Sequence, residues 1–199
     1  MSSLKPEKHE RFLSLLEPIR PAFARFCRAL CQDREQGRDL ASESILILFQ
    51  QFDSLRERDS FKSYLFTTAL RLFRRQRHRE RNRVPYDPAV MEQLNADTPA
   101  PDARADVELL YQMLEQLPPA QKEAVILFEI AGLSLEEVRQ IQGGSLSGVK
   151  SRIARGRESL AELLGVRESA PVVPVGNGRA SDQAKTLVYA RTVITQSKS

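Results

Sequence analysis

At 199 residues the chain is long enough for one or two small domains, which build a sizeable core only if they share it. Its formal charge is +4 and its pI about 9.3, a basic excess whose placement matters more than its size. No apolar run approaches a membrane span, and the start Met1-Ser2-Ser3-Leu4-Lys5-Pro6 does not read as a signal peptide. Two cysteines and two histidines supply neither a disulfide scaffold nor a zinc set.

Residues 7–17 read as a short helix with Phe12, Leu15 and Leu16 apolar, punctuated by Pro18 and Pro21. A second helix over 21–32 puts Phe23, Phe26, Cys27 and Leu30 on its inner face. Cys27 and Cys31 are read as buried reduced thiols. Gln36-Gly37 is a predicted break. Asp39 is then a candidate cap for a third helix over 40–52, with Glu43 in its first turns and Ile45, Leu46, Leu48, Phe49 and Phe52 apolar. A polar loop over 53–59 leads to Ser60 and a long helix over 61–81. Its first half is aromatic and apolar, through Phe61, Tyr64, Leu65, Phe66, Leu70 and Phe73. Its second half is an arginine block. Between positions 71 and 83 seven arginines face one glutamate, a charge of +6 on a chain whose remainder carries −2. Such a local block is the footprint of a polyanion site.

Residues 84–103 are rich in proline and acidic side chains and read as a flexible linker. A helix over 104–116 follows. Leu117-Pro118-Pro119 then opens another, because proline suits the first turn, and Val125, Leu127, Phe128 and Ile130 supply core. From 133 to 164 the chain runs LSLEEVRQIQGGSLSGVKSRIARGRESLAELL. Ser134 and Glu137 fit a capping box, and Leu135, Val138 and Ile141 share a face. Gly143-Gly144 stops the helix. The next one starts near Ser145, with an apolar seam of Val149, Ile153, Gly156, Leu160 and Leu163 among Lys150, Arg152, Arg155 and Arg157. A short helix, a glycine turn and a longer basic helix form the helix-turn-helix that lays its second helix in a major groove. Residues 166–199 are expected to be a disordered extension, although 186–195 are β-prone.

No glycine-rich phosphate loop, nucleophile elbow or zinc spacing is present, so neither an enzyme nor a cofactor is expected. The fold class expected is all-α. Two small helical domains, over 1–83 and 104–165, are joined by the linker and followed by the tail.

The stretches Leu117-Pro118, Leu133-Ser134-Leu135-Glu136-Glu137-Val138 and Gly148-Val149-Lys150-Ser151-Arg152-Ile153-Ala154-Arg155-Gly156-Arg157 resemble region 4 of bacterial sigma factors, above all the extracytoplasmic-function (ECF) group. The runs 36–49 and 61–79 resemble sigma region 2. Both occur in the family's order. Departures are Gly148 for a usual threonine, Arg139 for a small residue, Arg71 and Arg74 for a polar and an acidic residue, and Gln36 and Arg38 for acidic ones.

The resemblance implies a cytoplasmic initiation factor whose partners are core RNA polymerase and promoter DNA, without membrane insertion. An anti-sigma factor or a Ser/Thr kinase is left open as a further partner. Ser147, Lys150, Ser151, Arg152 and Arg155 would meet the −35 duplex. Tyr64, Arg71, Arg74, Arg75 and His78 would meet the opening −10 element, with the loop over 54–59 forming a base pocket. Asp39 and Glu43 would dock on polymerase. Ser42 and Ser44 lie in that acid-poor patch, where a phosphate would restore negative charge and be favoured near a helix start. Two rival readings are a stand-alone helix-turn-helix regulator and a helical adaptor that binds protein only.

Overall fold

The computed structural model describes residues 4–31, 33–55, 58–81 and 102–164. Residues 84–101 of the expected linker, the expected tail over 166–199, and Arg56 and Glu57 of the expected polar loop lie outside them. The described residues form eight α-helices: α1 (Leu4–Leu16), α2 (Arg20–Cys31), α3 (Arg34–Gln50), α4 (Arg58–Arg81), α5 (Asp102–Gln116), α6 (Pro119–Val125), α7 (Leu135–Gln142) and α8 (Leu146–Leu163). A 3-10 turn, Phe52–Ser54, follows α3, and a π-helical turn, Ile126–Ile130, extends α6.

In the N-terminal unit, α2 and α4 bury Phe23, Phe26, Leu30, Leu65, Phe66 and Leu70 against Leu48 of α3. Phe12, Phe52 and Phe61 close one end with edge-to-face contacts at 5.3 to 6.0 Å between ring centroids. Phe61 is therefore a core residue. The apolar face read for α2 is the buried one, and burial pushes the Cys27 thiol far up and the Cys31 thiol up to about 11.

The expected break at Gln36-Gly37 does not occur. The true cap is Asp33, whose carboxylate accepts from Gln36 N at 2.8 Å, so α3 begins six residues earlier than read. Gly37 sits inside the helix because a Cβ there would lie 3.1 Å from Arg28 Cα. It is a close-packing glycine that lets α2 and α3 approach. Two consequences follow for the charged patch. Asp39 lies in the second turn of α3 rather than at its cap. Ser42 and Ser44 lie mid-helix, beyond the reach of the helix N-terminal dipole.

In the C-terminal unit, α6, α7 and α8 enclose Val125, Ile126, Leu127, Leu133, Val138, Val149 and Ile153. Pro119 occupies the first turn of α6. The capping box at α7 is complete: Ser134 Oγ accepts from Glu137 N at 3.3 Å, and Ser134 N donates to Glu137 Oε2 at 2.8 Å. Burial raises the Glu137 pKa, but the hydrogen bonds from Lys62 and Ser134 outweigh it and hold the carboxyl below its usual value. Gly143 and Gly144 turn the chain with φ of +78° and +87°, and Ser145 caps α8 by accepting from Gly148 N at 3.1 Å. The seam of α8 is buried at Val149, Ile153 and Gly156. It continues to Leu160, which packs partly buried against the core, and stops short of Leu163, which is exposed.

The two units pack on one another. The buried residues form one contiguous core, with α2 against the π-turn and α4 against α7.

Candidate nucleic-acid interface

Two charged surfaces and one seam define the candidate site. The first surface is the start of α8. Ser147, Lys150, Ser151 and Arg155 are all exposed, and their spacing of three, one and four residues places them on one helical face. Ala154, unremarked in the sequence, shares this face and keeps it open. Arg152 is different. Its Nη2 donates to Gly143 O at 3.0 Å and its Nε to Gly148 O at 3.3 Å, so the guanidinium clips the glycine turn to the helix. Arg157 turns inward, donating to Glu129 at 2.6 Å over the Phe128 ring. The unusual Arg139 does not wedge between helices, because it pairs with Glu136 of its own helix, Nε to Oε1 at 3.0 Å.

The second surface runs along α4. Tyr64, Arg71, Arg75 and His78 follow one side, at spacings of seven, four and three residues. Tyr64 is half-buried and its hydroxyl donates to Gln51 Oε1. Arg71, Arg75 and His78 are exposed. Arg71, Arg75, Tyr64 and Thr68 line a groove against Ile47 of α3, and Arg75 reaches Glu43 at 3.7 Å. Glu43, read as a polymerase contact, thus lies beside Arg75, read as a DNA contact, in an adjoining groove that Gln76 and Arg79 also line. Asp39, Ser42, Glu43 and Leu46 share the exposed face of α3. Leu46 is 55% exposed and was read only as one more apolar residue of the helix. Leu46 follows Asp39 and Glu43 on this face and adds one apolar side chain to it.

Ser44 is a correction. It is fully buried, and its hydroxyl donates to Leu40 O at 2.6 Å. Leu40, Ser44 and Leu48 recur every four residues on the core stripe, so no kinase can reach this serine without unfolding α3.

The seam takes Arg74 away from the α4 surface. Arg74 Nε donates to Glu123 Oε1 at 2.8 Å, with Nη2 on the second oxygen, a bidentate pair to a carboxylate that is 3% exposed. These bonds hold the Arg74 pKa above its usual value. Arg77 donates to Glu115 at 2.8 Å. Lys122, 5% exposed, donates to Glu115 and to Leu30 O at 3.0 Å, and burial pulls its pKa down. Farther along, Lys62 meets Glu137 at 2.7 Å and Ser63 meets Gln140 at 2.8 Å. Arg25 completes the seam by donating to Ile130 O at 3.2 Å, satisfying a carbonyl at the end of the π-turn.

Two family models match the chain in succession: Sigma-70 region 2 over residues 15–83 and Sigma-70 region 4 over residues 108–160. The chain is 29% identical over 144 residues to the ECF RNA polymerase sigma factor EcfG of Rhodopseudomonas palustris, covering 72% of this chain and 80% of that protein. It is 30% identical over 151 residues to the ECF RNA polymerase sigma factor SigE of Mycolicibacterium smegmatis, covering 73% and 58% respectively. Among solved structures, the sigma factor RpoE in complex with the anti-sigma factor NepR from Bartonella quintana is similar with a TM-score of 0.65 and 28% identity, over 80% of this chain and 99% of that one. CnrH in complex with the cytosolic domain of CnrY shares the fold, with a TM-score of 0.61 over 80% and 91% at 21% identity. With both regions present in order, the chain belongs to the sigma-70 family, in its ECF group, and is a promoter-recognising sigma factor of RNA polymerase.

Proposed function

We propose that this factor reads the −35 duplex through Ser147, Lys150, Ser151 and Arg155, with Arg152 chiefly setting the angle of α8. What supports the reading is the single exposed stripe these four residues make just beyond the Ser145 cap. Lysine and arginine there meet phosphates, and the side chains that enter the groove meet base edges. Arg155→Ala removes one charge-assisted contact, worth about 1.5–3 kcal/mol. Binding to −35 duplex, measured by fluorescence anisotropy, should weaken roughly tenfold. An unchanged affinity would take Arg155 off the reading face.

The −10 element, as it opens, is the polyanion assigned to α4. Arg71, Arg74, Arg75 and His78 would follow the strand backbone and Tyr64 would lie beside its bases, offsetting the cost of unpairing. The exposed face of α3 would dock on core polymerase through Asp39, Glu43 and Leu46. As for regulation, Ser42 is the one serine of the patch that a kinase could modify, and a phosphate there would add about −1.5 to −2 charges beside Arg38. Ser42→Asp and Arg38→Glu should each tighten binding to core polymerase in a titration; if both bind as the wild type does, restored charge is not a switch. The solved complex of RpoE with NepR supports an anti-sigma factor as a further partner, and a factor working on polymerase would act in the cytoplasm. Among the described residues no helix is long and apolar enough to cross a membrane.

A further inference from the structure

Two arginines of the basic block are held by carboxylates of the other unit. Arg74 lies bidentate on Glu123, and Arg77 lies on Glu115. A carboxylate presents a guanidinium with two oxygens in a plane, as a phosphate does. Glu123 and Glu115 therefore occupy the same donors that a nucleic-acid backbone would use. The reading face of α8 is untouched by this, since Ser147, Lys150, Ser151 and Arg155 stay exposed. Lys122 strengthens the asymmetry. It lies between the units, bonded to Leu30 O of α2 and to Glu115, with its Nζ 5.3 Å from the Phe73 ring centroid.

We propose that the seam is a charge-exchange latch: Glu115 and Glu123 stand in for DNA phosphates in the free factor, masking Arg74 and Arg77 until a single strand displaces them. The duplex-reading helix, Arg71 and Arg75 remain available while Arg74 and Arg77 are engaged across the seam, so the free factor meets single-stranded nucleic acid with only part of its arginine set. Displacement by phosphate releases the two glutamates to water and lets the units part. Glu123 is 3% exposed, with Arg74 as its cation and Gln142 Nε2 donating to its Oε2 at 3.3 Å. Loss of Arg74 leaves that carboxylate buried without its cation, and loss of the glutamates removes the ion pairs that tie Arg74 and Arg77 to the other unit, so either change loosens the seam.

The proposal rests on the assignment of α4 to the −10 strand, and the test separates the two. Full-length Glu115→Gln/Glu123→Gln protein is compared with wild type and with Glu10→Gln/Glu35→Gln, a control with the same charge change at exposed positions away from the seam. The probe is a non-template −10 oligonucleotide, read by fluorescence anisotropy, and the shape is read as radius of gyration by small-angle X-ray scattering. The seam variant should bind the strand about tenfold more tightly than the control, within the usual span of coupling between sites, and its radius should expand. Arg74→Gln/Arg77→Gln opens the same seam from the other side, so its radius should expand as well while strand affinity falls. Circular dichroism certifies that helix content is kept, and if the glutamate variant unfolds the arginine variant still reports the radius. A seam variant with the control's affinity and the wild-type radius overturns the latch. Expanded radii in both variants with strand affinity unchanged in both would keep the closure and remove α4 from the −10 strand.

Discussion

Arg74→Ala combined with Arg75→Ala should reduce promoter opening, read as permanganate reactivity of −10 thymines with core polymerase, by about a hundredfold or more. Each arginine can offer a charge-assisted contact worth about 1.5–3 kcal/mol to a backbone phosphate, and the pair together exceeds the 2.8 kcal/mol that a hundredfold requires. The two side chains differ in where they start. Arg75 is 58% exposed and loosely tied to Glu43 at 3.7 Å, a pair that water screens. Arg74 must first leave Glu123. The variant has no Arg74–Glu123 pair to break, so the measured loss understates the worth of the DNA contacts. Undiminished thymine reactivity would move the strand path off α4.

Gly156→Val should destabilise the C-terminal unit by about 3 kcal/mol, the upper range for forcing methyl groups into a packed core. A Cβ at this position would lie 2.6 Å from Val125 Cγ2, and Leu117 Cδ2 stands 3.4 Å away. Val125 is buried and β-branched, with little freedom to turn aside. Either α8 or α6 must shift, and α8 carries the reading face. A fall of roughly 10 °C in the melting transition is expected, together with weaker −35 binding. Gly156→Ala should be milder, because alanine regains about 1 kcal/mol of helix propensity over glycine. A Gly156→Val protein with unchanged melting would mean that the two helices are not in contact.

Much of this was legible before any coordinates. Ser134 and Glu137 declared a capping box, Gly143-Gly144 a turn, and the four-three spacing of Val149, Ile153 and Gly156 a buried seam, because each is a local pattern with a local physical cause. Errors arose where one residue type serves two purposes. Gly37 reads as a helix break, yet it serves close packing; the helix therefore starts earlier, and the cap falls to Asp33 and not to Asp39. Ser44 was counted as surface although Leu40, Ser44 and Leu48 already spelled a core stripe; its hydroxyl is satisfied by its own helix, which lets a polar residue be buried. The seam was not legible at all. Arg74 and Glu123 are 49 residues apart, and Lys62 and Glu137 are 75 apart. Nothing in the spacing of charges says which unit a given arginine will face.

The central claim is that this chain confers promoter choice on polymerase, and run-off transcription tests it most directly. Purified core RNA polymerase is given genomic template with and without the full-length protein, and the 5′ ends of the transcripts are mapped. New, discrete start sites that require both protein and core, and that share upstream elements near −35 and −10, are the predicted result. The contradicting result is a protein that binds DNA by itself while the ends remain those made by core polymerase alone.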